Sequence, residues 1–158
     1  MFTRGELLVA TFLACSVGAA SAAVAGERPF KGRGSGVQSS VCNANLCTNH
    51  EEGTYVGAHV GRSTYVSDWT SEFDTPSCGT AAGHTALTAA NGDQIFSDFE
   101  DDFCFDANNV AAYSGTYTVT GGTGRFSDVT GNGTISGTDD CSSLPCRDTT
   151  FTQGRGNY

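Results

Sequence analysis

Adjacent carboxylates stand at Glu51-Glu52, Glu100-Asp101-Asp102 and Asp139-Asp140, and closely spaced acids are raw material for general acid–base work. On an extended strand, however, neighbouring side chains point to opposite faces, so an adjacent pair makes a poor catalytic dyad. The favoured expectation for these runs is a solvated acidic face. Asp101 is the exception of interest, because it shares the phase of Phe99 and Phe103. Facing a cavity it would be a buried acid with a raised pKa. The preferred expectation is that a bend in the Glu-Asp-Asp run turns it to water. A second set, Tyr55, His59, Tyr65 and Trp69, occupies one strand phase. Aromatic walls with one imidazole suit an apolar ligand held by few polar contacts, although a packed wall with His59 hydrogen-bonded or exposed is the preferred reading. His84, near the start of a strand, carries the same ambiguity.

Other chemistries lack their residues. The segment Gly32-Arg33-Gly34-Ser35-Gly36 does not have the G-x-S-x-G spacing of a nucleophile elbow. Gly122-x-Gly124 lacks the third glycine of the dinucleotide fingerprint, and no Gly-Lys-Ser/Thr follows it. No cofactor is expected. The cysteines favour sulfur cross-links over metal. Beyond Cys15 there are six, Cys42, Cys47, Cys78, Cys104, Cys141 and Cys146, an even set that suits an oxidising compartment. Six cysteines allow about 15 connectivities. The preferred one closes the two C-x4-C pairs locally, Cys42 with Cys47 and Cys141 with Cys146, leaving Cys78 for Cys104. Zinc would call for C-x2-C pairs or histidines in register, and His50, His59 and His84 offer neither.

The N-terminus points to the same compartment. Arg4, an apolar stretch from Leu7 to Ala14, and the small-x-small sites Ala20-Ser21-Ala22 and Ala23-Val24-Ala25 have the order of a secretory signal peptide, assigned to residues 1–25. Phe12-Leu13-Ala14-Cys15 is a weaker match to a lipoprotein signal. The apolar run is too short to span a bilayer of about 30 Å, so a secreted or periplasmic protein without a membrane span is expected.

The elements that must position these residues read as strands. With 8 basic and 17 acidic side chains the chain carries a net charge of -9, which disfavours a nucleic-acid partner because backbone binding needs clustered cations. Glycine supplies 21 of 158 residues, nearly twice its usual share of about 7%. Gly53 to Trp69 alternates throughout and is expected to contain two strands broken near Gly61 to Ser63. His84 to Ala90 is a short strand followed by Asn91-Gly92, the signal for a type I′ hairpin. Gln94 to Phe105 places Ile95, Phe99, Phe103 and Phe105 on one face. Asp106 to Asn109 turns the chain, Tyr113 to Thr120 runs back, Gly121 to Gly124 makes a corner, and Gly131 to Gly137 and Thr149 to Thr152 complete the set. Such a series makes a sandwich or a barrel. Closure is preferred because it removes exposed edges, giving a single antiparallel closed barrel of about eight strands, stabilised by disulfides. Residues 26–41, with Gly32, Gly34 and Gly36, read as a flexible leader ahead of a barrel domain at 42–158. Phe126 is expected to plug one barrel end, and Arg125 to pair with a carboxylate such as Asp128 or stay solvated. Asn132-Gly133-Thr134 is a formal glycosylation sequon.

The stretch Tyr113 to Gly137, with its Gly-Gly-Thr-Gly-Arg-Phe corner, resembles the allene oxide cyclase/dirigent superfamily. His59-Val60-Gly61-Arg62 and Ala89-Ala90-Asn91-Gly92-Asp93-Gln94 are similar to upstream segments of its bacterial secreted members. The resemblance, over residues 53–137, implies an eight-stranded antiparallel barrel whose apolar cavity guides cyclisation or radical coupling by shape. No motif in this chain matches the plant enzymes' catalytic residues.

Together these observations lead to a secreted small barrel that binds a small hydrophobic ligand, or serves a structural or interaction role outside the cell, without catalysis. Its cavity candidates are Tyr55, His59, Tyr65, Trp69, Phe99, Asp101 and Arg125. The alternative is an isomerase or cyclase that templates a reactive intermediate. A surface or matrix component using the acidic face is a weaker third reading. Oligomeric state is not legible.

Overall fold

A computed structural model describes residues 26–158, so the signal-peptide assignment and Cys15 lie outside the described residues. Eight strands follow one another: β1 Arg28–Asn43, β2 Leu46–Gly57, β3 Gly61–Phe73, β4 Cys78–Ala89, β5 Gln94–Phe105, β6 Val110–Gly122, β7 Thr130–Asp140 and β8 Cys146–Asn157. Each pairs antiparallel with its neighbour in sequence, and β8 returns to pair with β1, closing the barrel. The only helical turn among the described residues, Gly124–Phe126, sits between β6 and β7. No described helix is long and apolar enough to cross a membrane.

The segment 26–41 is not a flexible leader: Arg28–Asn43 is β1, hydrogen-bonded on both sides, to β2 and to β8. Its glycines follow the strand period. Gly32, Gly34 and Gly36 take the inward positions, while Arg33, Ser35 and Val37 face out. An inward glycine leaves room for a large side chain from another strand, and the rings of Tyr55 on β2 and Tyr65 on β3 occupy that room.

Other boundaries move by a few residues. The break in the long alternating run falls at 58–60, ahead of the expected Gly61 to Ser63. His59 turns the chain there with φ +67°, and Gly61 follows with φ +71°. The β4–β5 turn forms at Asn91-Gly92, but not as type I′. Gly92 has φ +87° whereas Asn91 does not enter the left-handed region. Instead the Gly92 N–H donates to the Ala89 carbonyl at 2.9 Å, and the Ala89 N–H to the Asp93 carbonyl at 2.9 Å. β4 begins at Cys78 rather than near His84.

The two barrel ends differ. At the end holding the start of β1 and the close of β8, Phe30, Tyr55, Val60, Ile95, Tyr117 and Val129 pack into one buried cluster. Phe126 joins it at 3% exposure, so the Gly-rich corner does fold a plug under the barrel. Burying each of these large side chains contributes about 1.5–3 kcal/mol. The opposite end carries the disulfides, Cys42–Cys47, Cys78–Cys104 and Cys141–Cys146, with the connectivity that spacing favoured. The two short bridges clip the β1–β2 and β7–β8 hairpins, and the long one ties β4 to β5 at directly paired positions.

Candidate functional site

Between the plug and the disulfide rim lies a cavity of about 330 Å³. Its lower wall is apolar, with Leu87, Ile95, Val119 and Ile135, and Tyr158 beneath. Toward the rim stand Trp69, Phe73, Phe99, Phe103 and Phe105. Trp69 meets Phe99 edge-on with centroids 6.2 Å apart, and Phe73 meets Phe103 in the same way at 5.0 Å. Between these apolar zones four carboxyl groups face inward: Glu51, Asp101, Asp139 and Asp148.

Register and missing side chains bring the carboxyls together. Asp139 on β7 is paired directly with Asp148 on β8, and Asp148 with Gly36 on β1. A Cβ at position 36 would strike the Glu51 carboxylate and the Tyr65 hydroxyl. With glycine there, Glu51 of β2 reaches over β1 toward Asp148, and the Tyr65 hydroxyl stands between the two carboxyls. The Tyr65 hydroxyl donates to Glu51 Oε1 and lies 3.5 Å from Asp148 Oδ2. From the other side Tyr113 donates to Asp148 Oδ1 at 2.8 Å.

Carboxyls gathered on the inner face of a barrel resist ionising together. Burial first, then the charge of Asp148, pushes Glu51 up to about 8, and the same two causes push Asp139 up to about 8. Burial raises Asp148 as well, against the hydrogen bonds it accepts from Tyr113 and its neighbours. Asp101 stands apart from the trio, and burial followed by repulsion from Asp102 and Asp148 lifts it to about 6. The phenols of Tyr65 and Tyr113 are driven upward, mainly by burial, and remain donors. The arrangement sets carboxyls whose ionisation is opposed by burial and by one another beside an aromatic-walled space.

Of the residues singled out from the sequence, Tyr55, Tyr65, Trp69, Phe99 and Asp101 line the cavity. Asp101 keeps the phase of Phe99 and Phe103, because β5 runs unbent through the Glu-Asp-Asp segment, and so it faces inward and not water. His59 is not in the cavity wall: it occupies the β2–β3 turn, its ring stacked on Tyr158 at 4.8 Å. Arg125 is also outside, on the helical turn over the Phe126 ring at 4.5 Å. Its guanidinium lies 3.9 Å from Asp93 rather than pairing with Asp128. The acidic runs are not wholly solvated, since each sends a single member inward, Glu51, Asp101 or Asp139: Glu51 is 6% exposed while Glu52 faces water. Sequence reasoning missed Glu51, Asp139, Asp148, Tyr113 and Gln38. Glu51 lies four residues before Tyr55 and thus shares its phase, a signal available in principle.

On the outer surface His50 approaches Asp68 at 2.7 Å and His84 approaches Asp98 at 2.6 Å. No group of three or more His, Cys, Asp or Glu among the described residues is placed to hold a metal ion. Comparison with protein-family models, with curated proteins and with solved structures gives no match.

Proposed function

We propose that this chain is an exported binding barrel that holds one small, largely apolar molecule in its interior. The observation that carries this reading is the cavity itself, floored by the Phe126 plug, walled by aromatic and aliphatic side chains and within the size range of small-molecule sites. Three disulfides support export to an oxidising compartment. Trp69, the single tryptophan, lines the cavity and reports on occupancy. Titration with the neutral fluorophore N-phenyl-1-naphthylamine should quench its emission saturably at one site per barrel. Linear, unsaturable quenching overturns the proposal.

A second reading, the isomerase or cyclase implied by the superfamily resemblance, draws on one observation: buried carboxyls near neutrality beside an aromatic wall can pass a proton to a reactive intermediate. Incubation with a fatty-acid allene oxide then yields enantiomerically enriched product with the native protein and racemic product with Asp101→Asn. Racemic product from both ends this reading.

A further inference from the structure

The geometry points to an organic ammonium ion as the ligand class of this cavity, its charged head among Glu51, Asp139 and Asp148 and its apolar body against Trp69 and Phe99. This deepens the binding-barrel reading and rests on it.

The cavity wall has an excess of acceptors. Four carboxyl groups face it, and no lysine, arginine or histidine is among its lining residues. Against the carboxyls stand two phenolic donors, Tyr65 and Tyr113, already directed at Glu51 and Asp148. A separate observation concerns Gln38 on β1, which lines the same cavity and is 8% exposed. Its Nε2 donates to Ser40 Oγ at 3.1 Å and to Asn49 Oδ1 at 3.4 Å, which fixes the amide orientation. Its Oε1 is buried with no partner. A buried acceptor without a donor is destabilising unless something supplies one. Gln38 is paired in register with Glu51, so its side chain shares the inner face with that carboxyl.

A ligand that satisfies these acceptors must bring several donors, and a positive charge lets the carboxyls ionise without mutual repulsion. An anion meets repulsion. A neutral alcohol brings one donor and leaves the opposition to ionisation in place. A bare metal ion finds no three-residue arrangement here. An ammonium group on an aromatic or alkyl body supplies donors, charge and apolar surface at once, and aromatic walls further favour a cation.

Calorimetric titration with phenethylamine, phenethyl alcohol and phenylacetate, at a pH of about 8.5, separates the cases. The amine should bind at least about tenfold more tightly than the alcohol, and phenylacetate should not bind. Acidification should weaken the amine and leave the alcohol unchanged. The groups that titrate around the head are Glu51, Asp101, Asp139 and Asp148, with the phenols of Tyr65 and Tyr113. β1 and β4 contribute no titratable group to the lining, their polar members there being Gln38, Ser40 and Thr85. Glu51→Gln with Asp139→Asn should abolish the preference for amine while alcohol binding persists. Equal affinity for amine and alcohol, or tighter binding of phenylacetate, overturns the ammonium assignment and leaves the binding barrel standing. Binding of none of the three overturns both.

Discussion

Tyr113 donates its hydroxyl to Asp148 at 2.8 Å although a complete strand, β7, runs between them. The contact exists because position 137, opposite Tyr113 on β7, is glycine, and a Cβ there would collide with the phenol. Gly36 performs the same service on the other flank, between Glu51 and Asp148. The acidic cluster is thus defined as much by two absent side chains as by the carboxyls present.

Gly36→Ala should therefore destabilise the barrel by about 1–3 kcal/mol, the range for overpacking a filled interior. Gly26→Ala, where nothing lies within 4 Å, should leave stability unchanged. Chemical denaturation of the two variants checks this, and equal midpoints would show that Glu51 and Tyr65 can swing aside without penalty.

Stability should be greatest in mild acid and fall as pH rises. Folded Glu51 and Asp139 hold their protons up to about 8, whereas their ordinary values are 4.5 and 3.8. Between those limits unfolding releases protons, so stability drops by up to about 1.4 kcal/mol per pH unit for each proton released. Above that window the folded cluster has ionised too and the slope vanishes. Urea unfolding from pH 4 to 9 measures the slope, and Glu51→Gln with Asp139→Asn should flatten it. An unchanged slope in that variant places its origin elsewhere, for example at His50, whose pKa is raised chiefly by its hydrogen bond to Asp68.

Removing Cys78–Cys104 by paired alanine substitution should cost more than removing either short bridge. The loop it closes spans a separation of 26 residues against 5 for the others, and chain entropy assigns about 3–4 kcal/mol to the long loop and about 2 to a short one. Melting temperatures of the three paired variants rank them.

Phe126→Ala should cost about 3–5 kcal/mol, as for a large buried aromatic, yet retain the pH dependence of the native barrel. The plug packs against Ile95 and Val129 in the apolar cluster, away from the carboxyls. Loss of the pH slope together with stability would show that the two ends are coupled.

The architecture was largely legible because strand alternation, glycine turns and paired cysteines are local signals. Tyr113 to Thr120 and Gln94 to Phe105 lie inside observed strands, and the cysteine spacing matched the bridges. β1 was illegible because its central inward positions, Gly32, Gly34 and Gly36, carry no side chains, so a period-two pattern written in missing side chains looked like a linker. The site was half legible. Tyr65, Trp69 and Asp101 could be placed on a phase from their own strands, but Asp148 enters the cluster through pairings of β8 with β1 and β7 that no local pattern announces. His59 was drawn in by carrying the phase of Tyr55 across a turn, and Arg125 as the charged residue of the glycine-rich corner; both sit where the chain turns.

The vacancy at position 36 ties the fates of several residues together. A chain that acquired a methyl group there would have to shorten Glu51 or surrender the Tyr65 phenol, and a chain that lost Glu51 would free position 36 to drift. Among sequences descended from this one, positions 36, 51 and 65 are therefore expected to change in concert, and a lineage with a bulky residue at 36 should have abandoned its acidic interior.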